Sequence, residues 1–107
     1  MNFGFEHISQ EKAKEMMDTE KDYRIIDVRE TYEFAKKHIP EAQNIPYGDI
    51  NAGTLRVLPD MDQLLFVYCK TGQRSVGACK KLAVLGYTNI KEIGGLNTWP
   101  YDMVSVD

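Results

Sequence analysis

Cys69 is the residue of this chain best placed for covalent chemistry. It follows the most hydrophobic run, Leu64-Leu65-Phe66-Val67-Tyr68, and opens the loop Cys69-Lys70-Thr71-Gly72-Gln73-Arg74, which leads into a helix. An uninterrupted apolar run marks a strand buried on both faces, the centre of a parallel sheet. Ligands of open α/β sheets bind beyond the carboxyl ends of the strands, where Cys69 falls. The loop and the first helical turn carry N–H groups without intrahelical partners, which can converge on an anion. Gly72 lets the loop curl without a Cβ in the way. Arg74, and Lys70 beside the cysteine, add positive charge at the mouth. Together these favour thiolate over thiol. Moving a cysteine from its usual value of about 8.5 to about 6.5 takes roughly 2.7 kcal/mol, within reach of several amides and a guanidinium acting together. The plain alternative is a small buried hydrophobe, which is what a lone cysteine at a strand end more often is. Cys79, mid-helix among apolar neighbours, fits that alternative well.

The elements that position this loop are legible as strands alternating with helices. Ser9 caps a helix to Met17, and Tyr23 to Val28 is a strand. Thr31 caps a helix over Tyr32 to Lys37, ended by Pro40, and Ala42 to Ile45 is a short strand closed by Pro46. Tyr47 to Pro59 reads as an irregular connection, Leu64 to Tyr68 as the central strand, and Ser75 to Leu85 as a helix stopped by Gly86. Its inward candidates are Val76, Cys79, Leu82, Ala83 and Leu85. Asn89 to Ile93 is the last strand, Gly94-Gly95 a turn, and Leu96 to Tyr101 a closing turn. Such alternation over short links predicts a three-layer α/β sandwich.

Composition bounds the function. At 107 residues and 12.3 kDa, with 43% hydrophobic residues and no low-complexity tract, residues 1–107 are expected to form one globular domain. A net charge of -3 gives no general attraction for phosphate backbones, so nucleic acid is not an expected partner and an anionic substrate needs a local cationic pocket. Two cysteines are too few for a disulfide scaffold, and with only His7 and His38 beside them there is no metal-ligand spacing. Both histidines read as surface or locally hydrogen-bonded groups. No apolar run approaches the roughly 20 residues of a bilayer-crossing helix. Met1 to His7 lacks the basic and apolar regions of a secretory leader, so the cytoplasm is the expected location and no membrane partner is expected.

The order and spacing of several short pieces resemble a known family. Ile26-Asp27-Val28-Arg29, Tyr32-Glu33-Phe34, His38-Ile39-Pro40, Ala42, Asn44-Ile45-Pro46, Tyr68-Cys69, Gly72, Arg74-Ser75, Gly86-Tyr87, Gly94-Gly95 and Trp99 follow one another as in single-domain rhodaneses. Glu41 departs from the pattern, standing where the family usually carries glycine. The resemblance implies the rhodanese-like α/β fold, a five-stranded, mostly parallel sheet with helices on both faces. It implies a sulfurtransferase in which Cys69 cycles between thiolate and persulfide, with Lys70, Thr71, Gly72, Gln73, Arg74 and Ser75 forming the binding loop. No metal or organic cofactor is called for. The implied partners are a small anionic sulfur donor, thiosulfate or a persulfide, and a thiol or thioredoxin-like acceptor.

Asp27 and Arg29 follow a strand expected beside that of Cys69 and read as residues that brace the loop, or equally as an ordinary ion pair. Glu33 and His38 have weaker claims, as helix-face or turn residues. Ser75 most simply caps its helix, and Trp99 is a core or rim aromatic. Two rivals remain. A low-molecular-weight phosphatase or arsenate reductase of related fold has five residues between cysteine and arginine; four separate Cys69 from Arg74, a ring better sized for one sulfur atom than for a tetrahedral phosphate. A non-catalytic binding module of the same fold usually loses the cysteine, the glycine or the cation, and this chain keeps all three.

Overall fold

A computed structural model describes residues 4–106. Residues 1–3, part of the stretch read for a secretory leader, lie outside the described residues. The chain runs β1 (Glu6–His7), α1 (Gln10–Thr19), β2 (Tyr23–Asp27), α2 (Thr31–Lys36), β3 (Gln43–Asn44), β4 (Leu64–Cys69), α3 (Gln73–Leu85) and β5 (Ile90–Gly95), with 3₁₀ turns at Tyr47–Asp49, Ala52–Arg56 and Leu96–Thr98. The strands form one sheet in the order β1-β5-β4-β2-β3, with every pairing parallel. This is the expected α/β architecture, and its sheet is wholly rather than mostly parallel.

β4 is central, and all six of its residues are buried. Its side chains alternate between two cores. Leu65, Val67 and Cys69 meet Ala78, Cys79 and Leu82 of α3 on one face; Leu64, Phe66 and Tyr68 meet Ala13 of α1, Ile93 and Trp99 on the other. Burial on both faces removes the need for polar alternation, which is why the run reads as continuously apolar. Trp99 is a core aromatic at 5% exposure, its indole N–H donating to the Asp102 carbonyl at 3.2 Å. Among the described residues, no helix is long and apolar enough to cross a membrane.

Several boundaries differ from those the sequence predicts. β1 was not expected: two polar residues carry no strand pattern, and their place is set by backbone pairing of Glu6 and His7 with Lys91 and Glu92 of β5. The cap of α2 is Glu30, with Thr31 inside the helix, because the Glu33 carboxylate accepts the Glu30 N–H at 3.0 Å. β3 is shorter than Ala42 to Ile45, since the Ala42 N–H turns back to the Ile39 carbonyl. α3 starts at Gln73 rather than Ser75, capped by Gly72 in the left-handed region at φ +99°, and ends at left-handed Gly86 as expected. Of its inward candidates, Cys79 and Leu82 are buried, with Ala78 and Ser75 in place of Val76. Gly94-Gly95 ends β5 rather than forming a turn. A Cβ on Gly95 would fall 2.2 Å from the Lys70 carbonyl oxygen, so only glycine lets β5 run this close to the cysteine loop.

Candidate active site

The carboxyl ends of β2, β4 and β5 meet around Cys69. The backbone of the loop is tied to the chain after β5, where the Asn97 N–H donates to the Lys70 carbonyl at 3.1 Å. Lys70, Thr71 and Gln73 are exposed, and Cys69 lies beneath them at 1% exposure. The Gly72 N–H points at Cys69 Sγ from 3.0 Å. That geometry depends on the left-handed turn at Gly72, which a side chain would strain. Among the described residues this is the one loop amide bonded to the sulfur, where the sequence suggested several.

Arg74, expected to add a cation at the mouth, is forked onto Glu33 of α2: Nη1 lies 2.8 Å from Oε1 and Nη2 3.2 Å from Oε2. Both side chains are only partly exposed. The pairing holds the Glu33 carboxyl down at about 2, chiefly through the Arg74 hydrogen bonds. Arg74 remains within electrostatic reach of Cys69. An open groove of about 660 Å³ beside the loop is lined by Arg29, Glu33, Lys36, Lys37 and Lys70, so its cations outnumber its one carboxylate.

Asp27 and Arg29 form a buried ion pair, 0% and 5% exposed, with Asp27 Oδ2 2.8 Å from Nη2 and Oδ1 2.9 Å from the Arg29 N–H. Arg29 also donates to the Lys37 carbonyl, one of the acceptors left over at the end of α2. The guanidinium lies 5.9 Å from the centre of the Tyr68 ring. Beyond each other, the two side chains bond the Lys37 carbonyl and the Tyr68 hydroxyl, and their backbone carbonyls accept the Asn44 amide; none of these bonds runs to residues 70–75. The Tyr68 hydroxyl accepts the Ile39 N–H, and burial, then the Asp27 charge, pushes it up, so the phenol stays protonated.

Ser75 is not a cap. Buried in the first turn of α3, its Oγ lies 3.4 Å from Cys69 Sγ and donates to Oε2 of Glu92. Glu92, on β5 and 2% exposed, also accepts the Gly94 N–H at 2.9 Å, and its Oε1 meets His7 Nδ1 at 2.5 Å. His7 is thus a surface histidine, as expected, but one whose partner is a buried carboxylate. His38 is local, with Nδ1 2.8 Å from the Phe34 carbonyl and its ring stacked on Phe34. Glu92 was missed from the sequence, although the alternation of β5 holds the clue. Ile90 and Glu92 share a face, and a carboxylate beside a core isoleucine must find partners. Cys79 is fully buried, and burial, then the charge of Glu92, pushes its thiol up and away from reactivity. Among the described residues, no cluster of His, Cys, Asp or Glu is arranged to hold a metal ion.

Known proteins resemble this chain in sequence and in fold. Residues 9–100 match the family model of the rhodanese-like domain. The Bacillus subtilis protein named putative sulfurtransferase YtwF is 34% identical over 92 residues, 86% of this chain and 87% of its own length. Thiosulfate sulfurtransferase PspE of Escherichia coli is 34% identical over 71 residues, 66% of this chain and 68% of its own. Among solved structures, a rhodanese with anions from E. coli superposes with a TM-score of 0.72 at 30% identity, covering 78% of this chain and 98% of that one. The Alr3790 protein from Anabaena reaches 0.84 at 20% identity over 92% of each chain, a likeness of fold. The family model spans most of the molecule, its relatives match in sequence and in sheet, and on these grounds the chain belongs to the rhodanese-like domain family.

Proposed function

We infer that the protein is a sulfurtransferase that carries sulfur on Cys69. The observation that supports this most directly is the Gly72 N–H held 3.0 Å from Cys69 Sγ at the carboxyl end of the central strand. An amide aimed at a sulfur stabilises it best when the sulfur is anionic, in the free thiolate and in the persulfide. The Cys69 thiolate attacks the outer sulfur of an anionic donor, thiosulfate or a persulfide. A new S–S bond forms as the donor's own bond breaks, and the leaving group, sulfite in the case of thiosulfate, departs with the electron pair. A thiol or thioredoxin-like acceptor then attacks the outer sulfur and returns Cys69 to thiolate. Splitting one transfer into two displacements is the advantage of the covalent route. The groove bearing Lys36, Lys37 and Lys70 gives a dianion a favourable approach. With Cys69 at 1% exposure, the loop must shift to admit the donor. A reducing compartment such as the cytoplasm suits a nucleophile that has to remain a free thiol.

Arg74 supports donor binding in two ways, through its own charge and by neutralising Glu33, which would otherwise repel an anion at the mouth. Arg74→Ala is expected to lower kcat/KM for thiosulfate about tenfold, mainly through KM, in an assay of thiocyanate formed from thiosulfate and cyanide. Cys69→Ser is expected to abolish the activity. Hydrolysis of an aryl phosphate at a comparable rate would instead favour the phosphatase, and an inactive wild type the binding module.

A further inference from the structure

The mechanism above leaves a buried carboxylate unused. Glu92 stands in the core beneath the cysteine loop, joined to Cys69 through a single hydroxyl. A serine hydroxyl has one proton to give. An ionised carboxylate is the strongest acceptor within reach of that hydroxyl, so the proton goes to Glu92 Oε2 ahead of Cys69 Sγ and the Gly94 carbonyl, each 3.4 Å from Oγ. Ser75 is therefore an acceptor toward the cysteine, and the proton between Sγ and Oγ must come from the thiol. Two groups pull on one sulfur: the Gly72 N–H favours thiolate, while the Ser75–Glu92 pair favours thiol.

We propose that Glu92, acting through Ser75, is the positioning residue that holds Cys69 as a thiol at rest. The assignment rests on Cys69 being the nucleophile. When the thiolate forms, the Sγ–H bond breaks and its proton leaves to water, against the pull of the carboxylate below. The sulfur keeps its electron pair and becomes the thiolate. No oxidant or reductant is involved. The other carboxyl oxygen reaches the surface at His7, whose side chain is 68% exposed, and this connects the buried pair to water.

Glu92 is the charge beneath this sulfur, and Arg74 of α3, paired with Glu33, is also a charge within electrostatic reach of it. Facing Glu92 are His7 from β1, Cys69 from β4, Ser75 and Cys79 from α3, and the Gly94 amide. Gln10 of α1, bonded to the Ile93 and Gly95 carbonyls, is uncharged, and the neighbouring Lys91 and Glu6 pair with each other at 3.0 Å.

The test is the pH dependence of Cys69 alkylation by iodoacetamide in the full chain, followed by peptide mass mapping from about pH 5 to about pH 10, since the reagent reads the thiolate. Glu92→Gln keeps the shape but removes the negative charge that draws the Ser75 proton and opposes a thiolate above it. It is expected to raise the rate at neutral pH about tenfold and to move the midpoint down by about one unit, with the two profiles converging at high pH. A midpoint that stays put or moves up, or a rate changed by one factor at every pH, overturns the proposal. Ser75→Ala cuts the link while leaving the carboxylate, and is expected to shift the profile the same way by less, about threefold at neutral pH. An unchanged or slower Ser75→Ala variant also overturns it, whether or not Glu92→Gln folds. If wild type takes no sulfur from thiosulfate while the Glu92→Gln profile still shifts, the sulfurtransferase reading fails and the proton assignment stands.

Discussion

Glu41 has a φ of +73°, and among the described residues no other residue except glycine has a positive φ. A side chain in the left-handed region costs about 1–2 kcal/mol, while glycine there costs about 0.5–1 kcal/mol in lost chain entropy. Glu41 gives little back, since its contact with the Tyr23 hydroxyl is 3.5 Å long. Glu41→Gly is therefore expected to stabilise the fold by about 0.5–1 kcal/mol, seen as a Tm higher by about 2–5 °C, with activity unchanged. The departure of Glu41 from the glycine of the resembling family is visible in the sequence; that it sits in a strained turn is visible only in the backbone. Ser75 shows the reverse case. Its position just after the loop suggests a helix cap, but the helix begins two residues earlier, at Gln73, and the hydroxyl turns inward to Cys69 and Glu92 instead.

At the scale of elements, the site depends on how α2 meets α3. The Glu33–Arg74 fork is the ion pair described between these two helices, and α2 itself buries no residue. A helix of six residues with so little apolar contact relies on polar ties, which here also include the Arg29 bond to the Lys37 carbonyl. Because the Arg74 hydrogen bonds hold the Glu33 carboxyl at about 2, below its unfolded value, the pair stabilises the fold fully above the unfolded value and loses that effect as pH falls through about 2. Wild type is expected to lose stability to urea between about pH 4.5 and about pH 2 more steeply than Glu33→Gln. Parallel pH profiles for the two proteins would show that the fork contributes nothing. This tie was not legible in the sequence: Glu33 and Arg74 are far apart in the chain, and neither helical period nor charge pattern says which exposed groups will meet. The two-residue strands β1 and β3 were hidden or blurred for a related reason, since their places are fixed by the strands they pair with rather than by their own residues.

For the molecule as a whole, most of the architecture was legible because one physical rule governs it. A strand buried on both faces must be apolar throughout, and β4 is, which fixes the centre of the sheet and places Cys69 at its carboxyl end. The loop that follows then has a helix N-terminus to draw on, a glycine able to turn left-handed, and a neighbouring strand ending in Gly95, close enough to touch its backbone. What composition and periodicity do not carry is the polar interior. Asp27, Arg29 and Glu92 are charged residues in the core; the first two satisfy each other across one turn, and Glu92 is satisfied by Ser75 and His7, distant in the chain. The central claim is that this interior keeps one sulfur ready to bear another. It is tested most directly by the mass of the Cys69 peptide after brief exposure of the full chain to thiosulfate. The expected result is an added mass of about 32 Da, one sulfur atom, on Cys69 and its absence in Cys69→Ser. No added mass in wild type, or the added sulfur on any residue other than Cys69, would contradict the account.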